Sequence, residues 1–349
     1  MIDVNKYENY YFETAKKIFA TPSPSGYYEE IEGVLKKFAD ELGVKFERTN
    51  KGCFIFTVQG KEGENSGALG LSAHADTLGA MIRSFDGDKI KFSRVGGPIL
   101  STFDGEYCTV ITRDGKKYRG TFLSVSPSKH VYEDCDTITH TEEHMYVRLD
   151  ENVRCAEDFK KLGIENGNYI ALDTKTEITP SGYIKSRFID DKASVAAFIT
   201  AMKIIKDYNL VPQKTLKFLV TVYEEVGHGA SYVPDGLEKM LCVDMGCIGK
   251  DLSCNEHQAS ICAKDSHGPY DYRLTNSLVA LAKANGLDYA IDIYPYYGSD
   301  AGAMWTAGYD IPAALVGTGV NASHGMERTH IDGVKNTIKL MLLYAGFSL

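Results

Sequence analysis

Five short pieces of the chain carry side chains that bind metals or move protons. They are His74-Ala75-Asp76, Asp190-Asp191, Glu224-Glu225, Asp244, and His324 within Ser323-His324-Gly325-Met326-Glu327. Taken singly, each has an ordinary explanation. A His-x-Asp after a strand commonly lies in a surface loop. Asp190-Asp191 stands just ahead of a helical pattern, where capping and the helix dipole favour carboxylates. Glu224-Glu225 reads as a charged strand end, Asp244 as a turn residue and His324 as a structural imidazole. The conjunction is harder to explain this way. Each piece follows an apolar strand or a turn rich in small residues, and α/β sheets build their sites beyond the carboxyl ends of such strands.

Carboxylates gathered at one strand edge repel one another and raise each other's pKa values, a penalty that bound cations remove. Mixed imidazole and carboxylate donors suit zinc or cobalt better than magnesium or calcium, which prefer all-oxygen shells. With two divalent ions, three carboxylates and two neutral imidazoles, the cluster carries about +1, which a hydroxide neutralises. The chemistry expected there is hydrolysis by a metal-activated water. Two adjacent glutamates fit that chemistry, one as a ligand and its neighbour free to take and return a proton. The following Gly227-His228-Gly229 lets the backbone turn sharply beside the site.

The elements that must position these residues are legible from periodicity. Tyr11, Ala15 and Ile18 predict a first helix ended by Thr21-Pro22-Ser23-Pro24, and Ile31, Val34, Leu35, Phe38 and Leu42 a second. Cys53 to Val58 and Leu69 to Ala73 read as buried strands. From about 76 to 180 the texture becomes β-rich, with strand-like pieces at 107–112, 145–149 and 169–172, a hairpin signal at Asp114-Gly115 and one helical pattern at 156–162. Helix and strand then alternate again. Helical faces are carried by Val195, Ile199 and Met202, by Leu274, Leu278 and Leu281, and by Ile331, Val334, Ile338 and Met341. Strands are expected at 216–223, 241–244 and 311–316. The architecture predicted is α/β, a mixed sheet flanked by helices. A discontinuous catalytic domain comprises 1–75 and 181–349, interrupted by a small β-rich domain at 76–180.

The chain has 349 residues, 44% hydrophobic and 24% charged, enough for a sizeable core. A net charge of −9 with no Lys/Arg run argues against a nucleic-acid partner. The N-terminal residues are polar, and no stretch reaches the length of a membrane span. The eight cysteines form no CxxC pair and read as reduced thiols, so the cytoplasm is the expected compartment.

In order, His-x-Asp, Asp-Asp-Lys, Glu-Glu-Val-Gly, Val-Asp and a late Ser-His resemble the tetrahedral aminopeptidase family of dinuclear metallo-aminopeptidases. These are relatives of glutamyl and leucyl aminopeptidases, and some members were formerly labelled as cellulases. The likeness spans nearly the whole chain, the β-rich insertion included. It implies two divalent ions per subunit, zinc or cobalt, bridged by Asp190, and often a cis Asp190-Asp191 peptide. His74 and Asp244 would complete one metal, Glu225 and His324 the other. Glu224 would be the general base, and Asp76 would orient His74. Peptides would be the substrates, and dimers assembling into a hollow dodecamer the expected homo-oligomer, with the insertion driving assembly.

This sequence departs from the family after His324, where Gly325-Met326-Glu327 replaces a Ser/Thr-Pro-x-Glu pattern, so the pocket wall and substrate preference are left open. Asp300, in Ser299-Asp300-Ala301, and His267, in Lys264-Asp265-Ser266-His267-Gly268-Pro269, are candidate substrate contacts. A cap and a solvent-exposed loop are the plainer readings of these two. Three other functions compete: hydrolysis of N-acyl amino acids, a non-catalytic metal-binding scaffold, and a glycosidase. The last leaves the histidines unexplained and has a single Trp to work with.

Overall fold

The structure is a computed structural model that describes residues 1–63 and 66–349. Among these, ten strands form one mixed sheet. Its centre is four parallel strands in the spatial order Thr215–Thr221, Ala68–His74, Leu237–Val243 and Ala313–Val320. Phe54–Val58 extends the sheet antiparallel on one side, and Ala259–Asp265 on the other. Side chains alternate across the central strands. Leu216, Phe218, Val220, Leu241, Val243, Ala314 and Val316 face one core. Leu219, Met240, Cys242, Ala313 and Leu315 face the other. Both faces are covered, which is why these strands read as unbroken apolar runs in the sequence.

The larger core lies under the helices Glu8–Ala20, Glu29–Leu42, Ile189–Asp207, Tyr272–Ala284 and Ile331–Tyr344. The short helix Asp300–Thr306 packs Ala301 and Met304 on the opposite face. Helix Ile189–Asp207 is buried along most of its length, and Lys192 near its start is enclosed. The Lys192 ammonium donates to the Thr21 carbonyl at 2.5 Å, and burial lowers its pKa to about 7.

The intervening segment folds into a closed six-stranded antiparallel barrel. Around the ring run Gly79–Asp86, Lys89–Val95, Met145–Leu149, Lys117–Ser124, Tyr107–Ile111 and Tyr169–Leu172. Three of these strands match sequence expectations; the other three do not announce themselves. Lys89–Val95 shows why: Ile90 and Phe92 point inward while Lys89 and Lys91 alternate outward, and exposed Arg94 follows, so no apolar run forms. Phe92 and Phe103 pack against Phe122 in the barrel core, with ring centroids 5.1 and 5.0 Å away. A third, three-stranded sheet of Glu177–Ile178, Tyr183–Ser186 and Glu327–His330 joins the barrel's return path to the end of the chain.

The chain leaves the central sheet for the barrel directly after His74 and returns through Tyr183–Ser186 into the helix that carries Asp190. Both stems of the barrel therefore end on candidate site residues. Phe122→Ala should destabilise the protein by about 3–5 kcal/mol, as expected for truncating a fully buried aromatic. Chemical denaturation followed by circular dichroism checks it, and a change below about 1 kcal/mol would contradict the packing described.

Candidate active site

All five motif pieces lie at the carboxyl end of the parallel strands. His74 ends Ala68–His74, Asp244 follows Leu237–Val243, and His324 follows Ala313–Val320 by a short loop. Thr215–Thr221 leads into a 3-10 turn at Glu224–Val226, closed by Gly227 at φ +82°, where a glycine avoids strain. Asp190 and Asp191 open the helix Ile189–Asp207 with non-helical backbone angles, and the peptide between them is cis.

Asp190 stands between the two imidazoles. Its Oδ1 is 3.2 Å from His74 Nε2, and its Oδ2 is 3.6 Å from His324 Nε2. Each ring is held from behind by a main-chain oxygen. His74 Nδ1 donates to the Asp76 carbonyl at 3.0 Å, and His324 Nδ1 donates to the Gly97 carbonyl, in the loop after Lys89–Val95, at 2.8 Å. With the hydrogens on Nδ1, the Nε2 lone pairs aim at the carboxylates, the arrangement that metal-binding imidazoles adopt. Asp244 Oδ2 lies 4.0 Å from His74 Nε2, and Glu225 Oε2 lies 3.7 Å from His324 Nε2. Glu224 Oε2 lies 3.7 Å from His74 Nε2. Distance alone thus puts Glu224 within reach of the same ion as His74 and Asp244. Exposure separates the glutamates, since the Glu224 side chain is 16% exposed to the cleft and that of Glu225 5%.

Asp76 does something the sequence did not suggest. Its carboxylate is 3.6 Å from His74 Nδ1, too long for a hydrogen bond, and the Asp76 main-chain carbonyl orients the ring instead. The carboxylate accepts the backbone amides of Glu224 at 3.1 Å and Glu225 at 3.2 Å, and the Ser25 hydroxyl at 2.6 Å. Glu327, absent from the sequence candidates as a site residue, is buried and grips two others. It accepts the amide of Asp190 on Oε2 and that of His324 on Oε1, each at 3.0 Å. Its spacing three residues after His324 was the available signal. Asp191 accepts the His74 amide at 3.2 Å.

Without cations the electrostatics are severe. Burial, reinforced by neighbouring carboxylates, pushes Glu224, Glu225 and Glu327 well above the ordinary range and Asp244 to about 7. Burial alone would lower His74, but Asp190, Glu224, Asp244 and Asp76 hold it well above its usual value. Burial would raise Asp190, and the two imidazoles override it. Such a set of donors fits divalent cations: buried, like-charged, and converging on imidazole nitrogens whose other ends are already bonded.

The cluster floors a cleft of about 740 Å³. His267 and Asp300 both line it. His267 sits in a tight hairpin rather than a free loop, because Ala259–Asp265 pairs with Gly268–Pro269 and buried Asp265 accepts the His267 amide at 2.8 Å. Asp300 is not the cap of its helix; Ser299 is. The Asp300 carboxylate accepts the Thr221 hydroxyl and the Ala230 amide, each at 2.9 Å, so it is a buried brace. Ile99, Cys247, Tyr297, Ala303 and Thr306 add further wall, and among the described residues no Lys or Arg lines the cleft.

The fold is shared with solved aminopeptidases. One from the archaeon Desulfurococcus kamchatkensis superposes with a TM-score of 0.87 at 19% identity, covering 98% of this chain and 96% of that one. The TET1 peptidase of Pyrococcus horikoshii, which assembles into a tetrahedron or a large octahedral shell, gives 0.84 at 22%, covering 97% and 100%. The chain belongs to the M42 glutamyl aminopeptidase family, whose model matches residues 52–340. YhfE of Bacillus subtilis strain 168, assigned as an aminopeptidase, is 41% identical over 334 residues, 95% of this chain and 96% of its own length. Membership places the chain among the aminopeptidase hydrolases.

An acid whose pKa is higher in the folded than in the unfolded state binds more protons when folded, so stability falls as pH rises between the two values. For Asp244 that interval runs from about 4 to about 7. Asp190, shifted downward, acts below this window, and Lys192 acts above it. Metal-free protein should therefore have a lower Tm at pH 6.5 than at pH 5, and bound zinc should remove the difference. Thermal unfolding of chelator-treated and zinc-loaded samples tests this; a metal-free Tm that climbs over the interval would refute it.

Proposed function

We propose that the cleft removes single residues from the N-termini of peptides, using a water activated between two divalent cations, zinc or cobalt. The observation that carries this reading is the Asp190 carboxylate, which presents one oxygen to each of two imidazoles with opposed supporting bonds. In the proposal Asp190 is shared, His74 and Asp244 complete one ion, and Glu225 and His324 the other. When bound, the ions acidify a water and polarise the scissile carbonyl. Glu224, the more exposed glutamate, takes the proton from that water and returns it to the leaving amine. Asp76 fixes the Glu224-Glu225 backbone, so base and ligand keep their separation.

Glu224→Gln keeps shape and removes proton transfer, so metal content should hold while kcat falls by ~10²–10⁴-fold. Glu225→Gln exchanges a charged donor for a neutral one, so metal content should fall with activity. Elemental analysis beside steady-state kinetics decides. Metal lost in Glu224→Gln but retained in Glu225→Gln reverses the two roles, and full activity in both moves the active site elsewhere.

Within this reading the residue removed is neutral. An acidic side chain entering the cleft meets no Lys or Arg among the described lining residues, and taking a charge out of water without a partner is costly. The kcat/KM for leucyl or alanyl amides should exceed that for glutamyl amides by at least about tenfold. A preference for the glutamyl substrate would overturn the assignment.

We also propose that the chain divides into a discontinuous catalytic domain, 1–75 and 181–349, and an inserted domain, 76–180, that drives self-association. Exposed Tyr107, Val131 and Tyr132 give the insertion apolar surface. Among the described residues no helix is long and apolar enough to cross a membrane, and the eight cysteines are free. A cytoplasmic homo-oligomer, of dimers or a dodecamer, is consistent with these features. Light scattering should give a multiple of the chain mass, and a monomer at micromolar concentration with metal present would sink the oligomer.

A further inference from the structure

Outside the lining of the cleft, three side chains meet where the strand Glu327–His330 turns into the helix Ile331–Tyr344. His330 ends the strand, Asp332 opens the helix, and His257 comes from the turn before Ala259–Asp265. Asp332 Oδ2 is 3.2 Å from His257 Nδ1 and 3.2 Å from His330 Nδ1, and all three atoms lie within 4.8 Å of one another. The two ring centroids lie 4.0 Å apart, with the planes tilted by 37°.

The hydrogen bonds around this group leave one contact without a hydrogen. His330 Nε2 donates to the Ser181 carbonyl at 2.7 Å, so in the neutral ring Nδ1 carries the lone pair. That lone pair receives the Asp332 amide at 3.1 Å, yet Asp332 Oδ2 also faces it at contact distance. Two electron-rich atoms oppose each other, and a cation between them relieves the repulsion.

We propose that His257, His330 and Asp332 form a site for a divalent cation of the zinc class, separate from the catalytic cleft. In a tetrahedral zinc site with bonds of about 2.0–2.1 Å, donor atoms stand roughly 3.3–3.4 Å apart. The two 3.2 Å separations are close to that spacing before any ion is bound. The supporting bonds also suit it. The Ser181 carbonyl holds the far nitrogen of His330, and the Tyr183 hydroxyl lies 3.4 Å from the far nitrogen of His257. Lys335 pairs with Asp332 Oδ1 at 3.0 Å, which leaves Oδ2 as the donor. His257 and Asp332 also line a cavity of about 420 Å³, together with Asn5, Asp288, Lys335, Asn336 and Lys339. Binding displaces the Asp332 amide from His330, an amide of the first helical turn that water can satisfy. The ion would clamp the strand Glu327–His330 to the His257 turn, and that strand carries Glu327, which holds the amides of Asp190 and His324.

A proton between His330 and Asp332 relieves the same repulsion, and metal counting separates the two. Full-length wild type, His257→Gln and Asp332→Asn are stripped with chelator, reloaded with zinc, desalted and analysed for zinc per chain. Each variant should hold one equivalent less than wild type, and the loaded variants should keep peptide hydrolysis within about twofold, as surface substitutions do. Cobalt reloading gives a second readout, since the wild-type visible spectrum should contain a component that both variants lack. The comparison is a difference between chains, so it holds whatever number of ions the cleft binds. Equal metal content in all three proteins would overturn the site. His257 is half-exposed and its substitution opens no core cavity, so that variant reports even where Asp332→Asn disturbs the helix start.

Discussion

Asp190 reaches two imidazoles at once because its main chain is gripped from outside the strand ends. Glu327 accepts its amide with one oxygen and the amide of His324 with the other, so a single buried carboxylate sets the separation of two opposing site residues. The pairing is costly in isolation. Glu327 is itself pushed well above the ordinary carboxylate range, by burial first and by the charge of Asp190 second. A protein tolerates this crowding where cations restore neutrality, and the rest of the cleft follows from that constraint. Asp76 repeats the device on the other side, accepting two successive amides so that Glu224 and Glu225 face the same space.

The barrel and the sheet are less independent than their separate cores suggest. Aromatic packing stabilises the barrel from within, and the sheet is closed on both faces by its own helices. The two units meet beside the helix Glu29–Leu42, where Lys117 pairs with Glu30 at 2.7 Å and the Tyr27 and Tyr169 rings lie 5.7 Å apart, and again at the site. Arg187, buried near the barrel's return path, donates to the Thr102 carbonyl at 2.5 Å and reaches the Gly325 carbonyl at 3.4 Å. The Ile99 amide donates to the His324 carbonyl at 3.3 Å. The loop that presents His324 is thus held between both units, and small shifts of the barrel would be felt there first.

The sequence was most legible where one physical signal dominated. The central strands are buried on both faces, so Leu216 to Tyr223 and Leu69 to Ala73 read as apolar runs, although the first strand ends at Thr221, and helices such as Glu29–Leu42 showed their faces through Ile31, Leu35 and Phe38. Half-buried strands such as Lys89–Val95 were hidden by alternating charges, and the edge strand Lys45–Arg48 by its exposure. Among site residues, the order of the motifs brought His74, Asp190, Glu224, Glu225, Asp244 and His324 forward, and the structure gathers them. What periodicity and motif could not supply was the partner of each group. Asp76 pointed to a side-chain bond with His74 that its carbonyl makes instead, and Asp300 looked like a cap although both its oxygens brace Thr221 and Ala230. The two Asp300 pairings join residues 79 and 70 positions apart and exist only once the sheet has formed.

The two carbonyls behind the imidazoles carry a further consequence. Every residue type has a carbonyl, so no substitution at 76 or 97 deletes the atom that orients His74 or His324. What aims these rings is therefore path rather than composition, the course the chain takes through two loops. Replacing Asp76 would register only through its carboxylate, which holds the Glu224 and Glu225 amides, so a scan of single replacements would pass over the ring-orienting role of both carbonyls. Only a change that bends the backbone would reveal it, and Gly97, one of two successive glycines in its loop, occupies the stretch where the backbone bends most readily.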